Sequence, residues 1–112
     1  MLNTYTAVVE RALPVVGRHF TEPYEAGWAK EALVFVKVRN GLSADDELRA
    51  WIQVSPDGIE WVDHGAALPT PLRGTSLGAI PVKNFGDWIR VGLACSDPEA
   101  TVRVSVYVSL KG

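Results

Sequence analysis

Near the C-terminus Val102, Val104, Val106, Val108 and Leu110 alternate with Thr101, Arg103, Ser105, Tyr107 and Ser109. A period of two sends the aliphatic set to one face of an extended chain and the polar set to the other, so this segment reads as a half-buried strand. Ile89, Val91, Leu93 and Cys95 alternate in the same way with Trp88, Arg90, Gly92 and Ala94, and Leu48, Ala50, Ile52 and Val54 with Glu47, Arg49, Trp51 and Gln53. From Ala32 to Arg39 both faces carry apolar residues at first, with Ala32, Val34, Val36 and Val38 opposite Leu33 and Phe35. That pattern predicts a central strand covered on both sides over its first half.

Turn chemistry separates these runs at Asn40-Gly41, at Ser55-Pro56-Asp57-Gly58 and in a Pro- and Gly-rich stretch from Gly65 to Pro81. The Ser-Pro-Asp-Gly turn predicts a hairpin returning the chain from Val54 into a strand at Ile59 to Val62. The stretch from Leu68 to Pro81 reads either as a long loop or as holding one short edge strand around Leu77 to Ile80. The first thirty residues are less regular. Thr6 to Leu13 alternates as a strand, Val15 to Phe20 is a second extended run, and Thr21 to Lys30 is weighed as a helical turn capped by Thr21, a reading that Gly27 weakens. Seven or eight short strands joined by turns predict an all-β antiparallel β-sandwich, the jelly roll being one arrangement, with strand order left open.

Composition supports this. Fifteen valines, four isoleucines and six threonines suit a pleated sheet and lose rotamer freedom in a helix. With 112 residues the chain is expected to form a single domain, 1–112, in which 1–30 serves as an N-terminal arm or strand pair involved in assembly. A formal charge of -2 gives no electrostatic reason to bind nucleic acid or an anionic membrane. No apolar run is long enough to span a bilayer, and Glu10, Arg11 and Arg18 interrupt the apolar block of a signal peptide. At 47% hydrophobic and 21% charged, the chain is more apolar than a small free domain requires, which points to a partner.

Candidate chemistry is sparse. His64 follows Asp63, but neighbours on a strand point to opposite faces, so a loop or surface role is expected for it and likewise for His19. The single Cys95 is expected at an inward, inert position. Asp45, Asp46 and Asp97 allow a calcium site at one end of the sandwich, without any recognisable calcium-loop spacing. No phosphate-binding glycine loop is present, and no cofactor or metal is expected.

Large aromatics and arginines at outward positions remain. Trp51 shares a face with Arg49 and Gln53, Trp88 with Arg90, and Tyr107 with Arg103. These residue types dominate binding hot spots, and they also serve as covers for apolar surface. Trp61 is expected to pack the hairpin. The candidate interaction surface comprises Arg49, Trp51, Trp88, Arg90, Arg103 and Tyr107 with Val15, Val16 and Phe20 of the N-terminal segment.

The segment Ala50-Trp-Ile-Gln-Val-Ser-Pro-Asp-Gly-Ile-Glu-Trp61, then Gly86-Asp-Trp-Ile-Arg-Val91 and the alternating strand ending Val108-Ser-Leu-Lys111, resembles small β-sandwich structural proteins of tailed bacteriophages and prophages. Gln53, Ser55, Pro56, Asp57, Gly58 and Trp61 carry the likeness, which spans 32–112. It implies a non-enzymatic virion protein, foremost a capsid decoration or stabilising protein assembled in the bacterial host cytoplasm. The partners it implies are the major capsid protein or other virion proteins and further copies of the chain, as a dimer or trimer. The rival expectation is a carbohydrate- or surface-binding module using Trp51, Trp88 and Tyr107, and a weaker one is an enzyme built on His19 or His64.

Overall fold

A computed structural model describes residues 4–112, with side chains from Tyr5 onward apart from Ala12. Residues 1–3 of the expected domain lie outside the described residues. Nine strands are present among them: β1 (Thr4–Val16), β2 (Arg18–Phe20), β3 (Tyr24–Glu25), β4 (Glu31–Asn40), β5 (Leu48–Ser55), β6 (Val62–Ala67), β7 (Leu77–Lys83), β8 (Trp88–Cys95) and β9 (Thr101–Lys111). The first sheet runs β1-β9-β4-β7 and the second β2-β8-β5-β6, with β3 also paired to β8. All pairings are antiparallel. Because β2 and β3 lie along one neighbour, eight lanes result. Pairing β1 with β9, β2 with β8, β4 with β7 and β5 with β6 nests the chain as one long hairpin folded over itself, which is the jelly roll.

The alternating strands meet here. Val34, Val36 and Val38 of β4 and Val102, Val104, Val106 and Leu110 of β9 are fully buried against Leu48 and Ile52 of β5 and Leu93 of β8. Branched aliphatic side chains from two inner faces interlock in such a core, and their removal from water is its main stabilising term.

Several expectations shift. The run Val15 to Phe20 is split at Gly17, whose φ of 64° lets the chain turn a corner, so β1 ends in the first sheet and β2 begins in the second. The Gly17 carbonyl accepts the Cys95 amide at 3.0 Å and holds that corner. No helical turn forms over 21–30. Thr21 exchanges hydrogen bonds with Val91 instead, its amide donating to the Val91 carbonyl (2.9 Å) and its hydroxyl accepting the Val91 amide (3.0 Å), so it caps a sheet. The hairpin strand starts at Val62 and not at Ile59, because the Asp57 carboxylate captures the amides of Ile59 (2.8 Å) and Glu60 (3.0 Å) and prolongs the turn. The edge strand β7 reaches Lys83, and Pro81 sits on that edge as Pro14 does on β1. Cys95, at the end of β8, is partly buried against the core.

Candidate functional site

The outer face of the second sheet gathers arginines and aromatic rings. Trp51 of β5 stands opposite Gly92 of β8, and Phe20 of β2 pairs with the same glycine from the other side. A Cβ built on Gly92 would lie 2.3 Å from the Trp51 ring, so the missing side chain is what lets the indole lie down across β8. There it meets Phe20 edge-on, with centroids 6.0 Å apart and planes at 87°. The Arg18 guanidinium lies over Trp51 at 5.0 Å from the ring centroid, and Arg90 sits between Phe20 at 4.2 Å and Trp61 at 4.4 Å.

The result is a continuous stack, Arg18, Trp51, Phe20, Arg90, Trp61, in which each guanidinium faces the negative face of a ring. A polar chain fixes its far end: Arg90 Nε donates to Gln53 Oε1 (2.8 Å), and Gln53 Nε2 donates to Asp63 Oδ1 (2.9 Å). Burial pushes the Arg90 guanidinium below its ordinary value, the direction expected of a cation partly stripped of water. Trp88 lies under the turn, 3.4 Å from where a Gly58 Cβ would stand. The turn itself is fixed from within. Ser55 Oγ accepts the Gly58 amide (2.8 Å) and donates to Asp57 Oδ1 (2.9 Å). The Ile59 and Glu60 amides, then the Ser55 hydroxyl, hold the Asp57 carboxyl below the usual carboxylate range. Beside Trp51 the surface dips into an open depression of about 390 Å³ lined by Arg49, Trp51, Ala67, Leu68, Pro69 and Pro71.

Of the candidate residues, Phe20, Arg49, Trp51, Trp88 and Arg90 therefore share one face, Arg49 remaining exposed beside Glu47 at 3.4 Å. Tyr107 and Arg103 lie on β9 in the other sheet, where the Tyr107 hydroxyl accepts from Arg39 Nη2 at 3.0 Å. Val16 is exposed at the end of β1. Val15 is a correction: it is fully buried, because its register partner Val102 faces the core and antiparallel partners share a face. Arg18 and Trp61 belong to the stack but were not among the candidates. The spacing of Arg18 and Phe20 two apart on a strand was the signal for the first.

His64, Asp46 and Asp97 have structural partners. His64 Nδ1 accepts the Ala66 amide (3.3 Å), so Nε2 carries the proton and donates to the Lys83 carbonyl, tying β6 to β7 across the two sheets. Asp46 accepts from the hydroxyls of Ser43 (2.8 Å) and Ser96 (2.9 Å), and Asp97 accepts the Glu99 amide (2.9 Å). Among the described residues no group of three His, Cys, Asp or Glu converges as metal ligands.

The profile of the domain of unknown function DUF6385 matches residues 34–112. The chain belongs to that family. In this DUF6385 chain the match begins in β4 and includes Trp51, Trp61, Trp88 and Arg90, whereas Arg18 and Phe20 lie before it. No curated protein matches the sequence. Among solved structures, the SPBc2 prophage-derived protein YomS is similar at a TM-score of 0.66 and 9% identity, over 100% of this chain and 96% of that one. The PBSX exported protein XepA matches at a TM-score of 0.58 and 11% identity over 98% of this chain, which spans 36% of XepA. A chain of infectious bursal disease virus, Gx strain, matches at 0.58 and 10%, over 100% of this chain and 32% of its own length. Phage-derived and virus proteins thus stand among the neighbours of the DUF6385 chain, and at these identities what they share with it is the β-sandwich fold.

Proposed function

We propose that this DUF6385 chain is a non-enzymatic structural component of a phage-type particle, docking onto another particle protein through the outer face of its second sheet. The observation that carries the proposal is the stack of Arg18, Trp51, Phe20, Arg90 and Trp61, assembled before any partner arrives. Arginine and tryptophan are the residues most enriched at binding hot spots. Holding them in place within the fold removes side-chain ordering cost from association. The depression flanked by Arg49, Trp51 and Pro71 offers a seat for an apolar anchor. A full-length likeness in both directions to a prophage-derived protein supports the phage setting.

The head shell, and within it the major capsid protein, is the leading partner, which makes the chain a decoration or stabilising protein of the virion. Repetition over a lattice multiplies a modest affinity per contact. Sugar stacking is less well served, since the rings of Phe20 and Trp51 are perpendicular and guanidinium groups occupy their faces.

The test is co-sedimentation of the purified chain with head shells, and separately with tails, of phage particles produced by the host that carries its gene. Arg90→Ala and Trp51→Ala, each checked for folding by circular dichroism, are expected to weaken binding roughly 30-fold, as loss of a hot spot does. Absence of binding to either part, or binding untouched by both substitutions, overturns the proposal.

A further inference from the structure

On the first sheet, β4 and β7 leave an apolar depression of about 340 Å³ between Leu33, Phe35 and Pro81, rimmed by Lys83, Lys111 and Glu31. Cross-strand pairing sets Glu31 between the two lysines, so the rim is cationic on balance. The charge extends over the sheet: outward positions of β4, β7 and β9 carry Lys37, Arg39, Lys83, Arg103 and Lys111 against Glu31, in a chain whose formal charge is -2. Two such faces repel each other. The surface therefore calls for an acidic occupant that presents an aliphatic group.

This chain supplies one. Ile59, at the tip of the hairpin between β5 and β6, is 79% exposed, the highest value among the large hydrophobic residues described. It is flanked by Asp57, Glu60 and Asp63, and the Ser55 and Asp57 hydrogen bonds stiffen the turn that carries it. A rigid protruding isoleucine among carboxylates complements an apolar depression among lysines in shape and in charge. We infer that the occupant is a second copy of this chain, its Ile59 seated between Leu33, Phe35 and Pro81 and its Glu60 facing Lys83 and Lys111. The giving and receiving surfaces differ, so the contact is either returned across a two-fold axis or passed on head to tail until rotation closes it. β4 runs away from Glu31 and β5 returns, which puts hairpin and depression at the same end of the sandwich. The contact uses neither Trp51 nor Arg90, so it stands or falls separately from docking by the second sheet.

Light scattering across a concentration series tests it. The wild-type chain is expected to associate into a discrete oligomer, less so as salt rises, because exposed charge pairs are screened. Ile59→Asp is expected to weaken association about tenfold or more, since it denies burial to a largely exposed side chain without touching the core. Glu60→Lys and Lys83→Glu are each expected to weaken it, and the two combined in one chain to restore it; Lys83 offers His64 its backbone carbonyl, which the substitution keeps. Far-UV circular dichroism confirms that each variant is folded. A wild-type chain that stays monomeric to about 1 mM overturns the inference, as does an oligomer unmoved by Ile59→Asp or by the charge exchange.

Discussion

Gly92→Ala is a one-carbon change with a large expected effect. The added Cβ would stand 2.3 and 2.4 Å from Trp51 Cε2 and Cζ2 and 2.7 Å from Nε1, closer than carbon atoms approach one another. Two responses are open. If the ring stays, β8 or the ring is strained, which for an overpacked site costs about 1–3 kcal/mol. If the ring leaves, it gives up the edge-on contact with Phe20, about 0.5–1.5 kcal/mol, and the Arg18 contact, about 0.5–1 kcal/mol, along with part of its cover. Alanine returns about 0.4–1 kcal/mol by restricting the unfolded chain. The net loss is about 1–2 kcal/mol by either route.

Urea unfolding followed by tryptophan fluorescence and by circular dichroism reads that loss. The decisive comparison is a double-mutant cycle with Trp51→Ala. Once the indole is gone, Gly92→Ala is expected to be neutral or slightly stabilising, leaving a coupling of about 1–2 kcal/mol between the positions. A Gly92→Ala protein as stable as wild type would refute the reasoning. So would an equal cost in the Trp51→Ala background, which would place the clash in the strand and not in the ring.

Arg90→Lys tests whether planarity, and not charge alone, holds the stack. A lysine cannot lie between Phe20 and Trp61 while donating to Gln53, so a loss of about 1–2 kcal/mol in the same assay is expected, and equality with wild type counts against the stack. For Asp57 the folded value is lowered, so its contribution is fully present above the unfolded carboxylate value and fades as pH falls through the folded one. Protection of the Ile59 and Glu60 amides against hydrogen exchange, taken relative to the intrinsic rate at each pH, is expected to fall in acid below the ordinary carboxylate range, a dependence that Asp57→Asn flattens. Protection that does not change with pH contradicts this.

The strands that were plain in the sequence are those that turn one aliphatic face to the core. The run Val102 to Leu110 alternates cleanly because β9 faces the core on one side only, and the same holds for β5 and β8. Less legible were segments whose conformation rests on distant partners. Thr21 is a good helix cap locally, yet its hydrogen bonds go to Val91, seventy residues on. Ile59 and Glu60 lean toward extended structure, yet a carboxylate two and three residues back claims their amides. The candidate surface divided for the same reason. Outward position is a local property, so Trp51, Arg90 and Tyr107 were all recognisable as outward, but the sheet to which each strand belongs depends on pairing.

The order of turns and the two-residue period are written along the chain, because they follow from backbone dihedrals and from which face of a strand meets water. They determined an all-β sandwich, its valine core and a shortage of obvious chemistry. Tertiary structure alone decided that the corner at Gly17 sends β1 and β2 to different sheets, which carries Arg18 and Phe20 across to Trp51 and buries Val15 against Val102. It also separated Tyr107 from the tryptophans and set an acidic hairpin and a basic face on one molecule. No period encodes these placements, since each depends on hydrogen bonds between residues far apart in sequence.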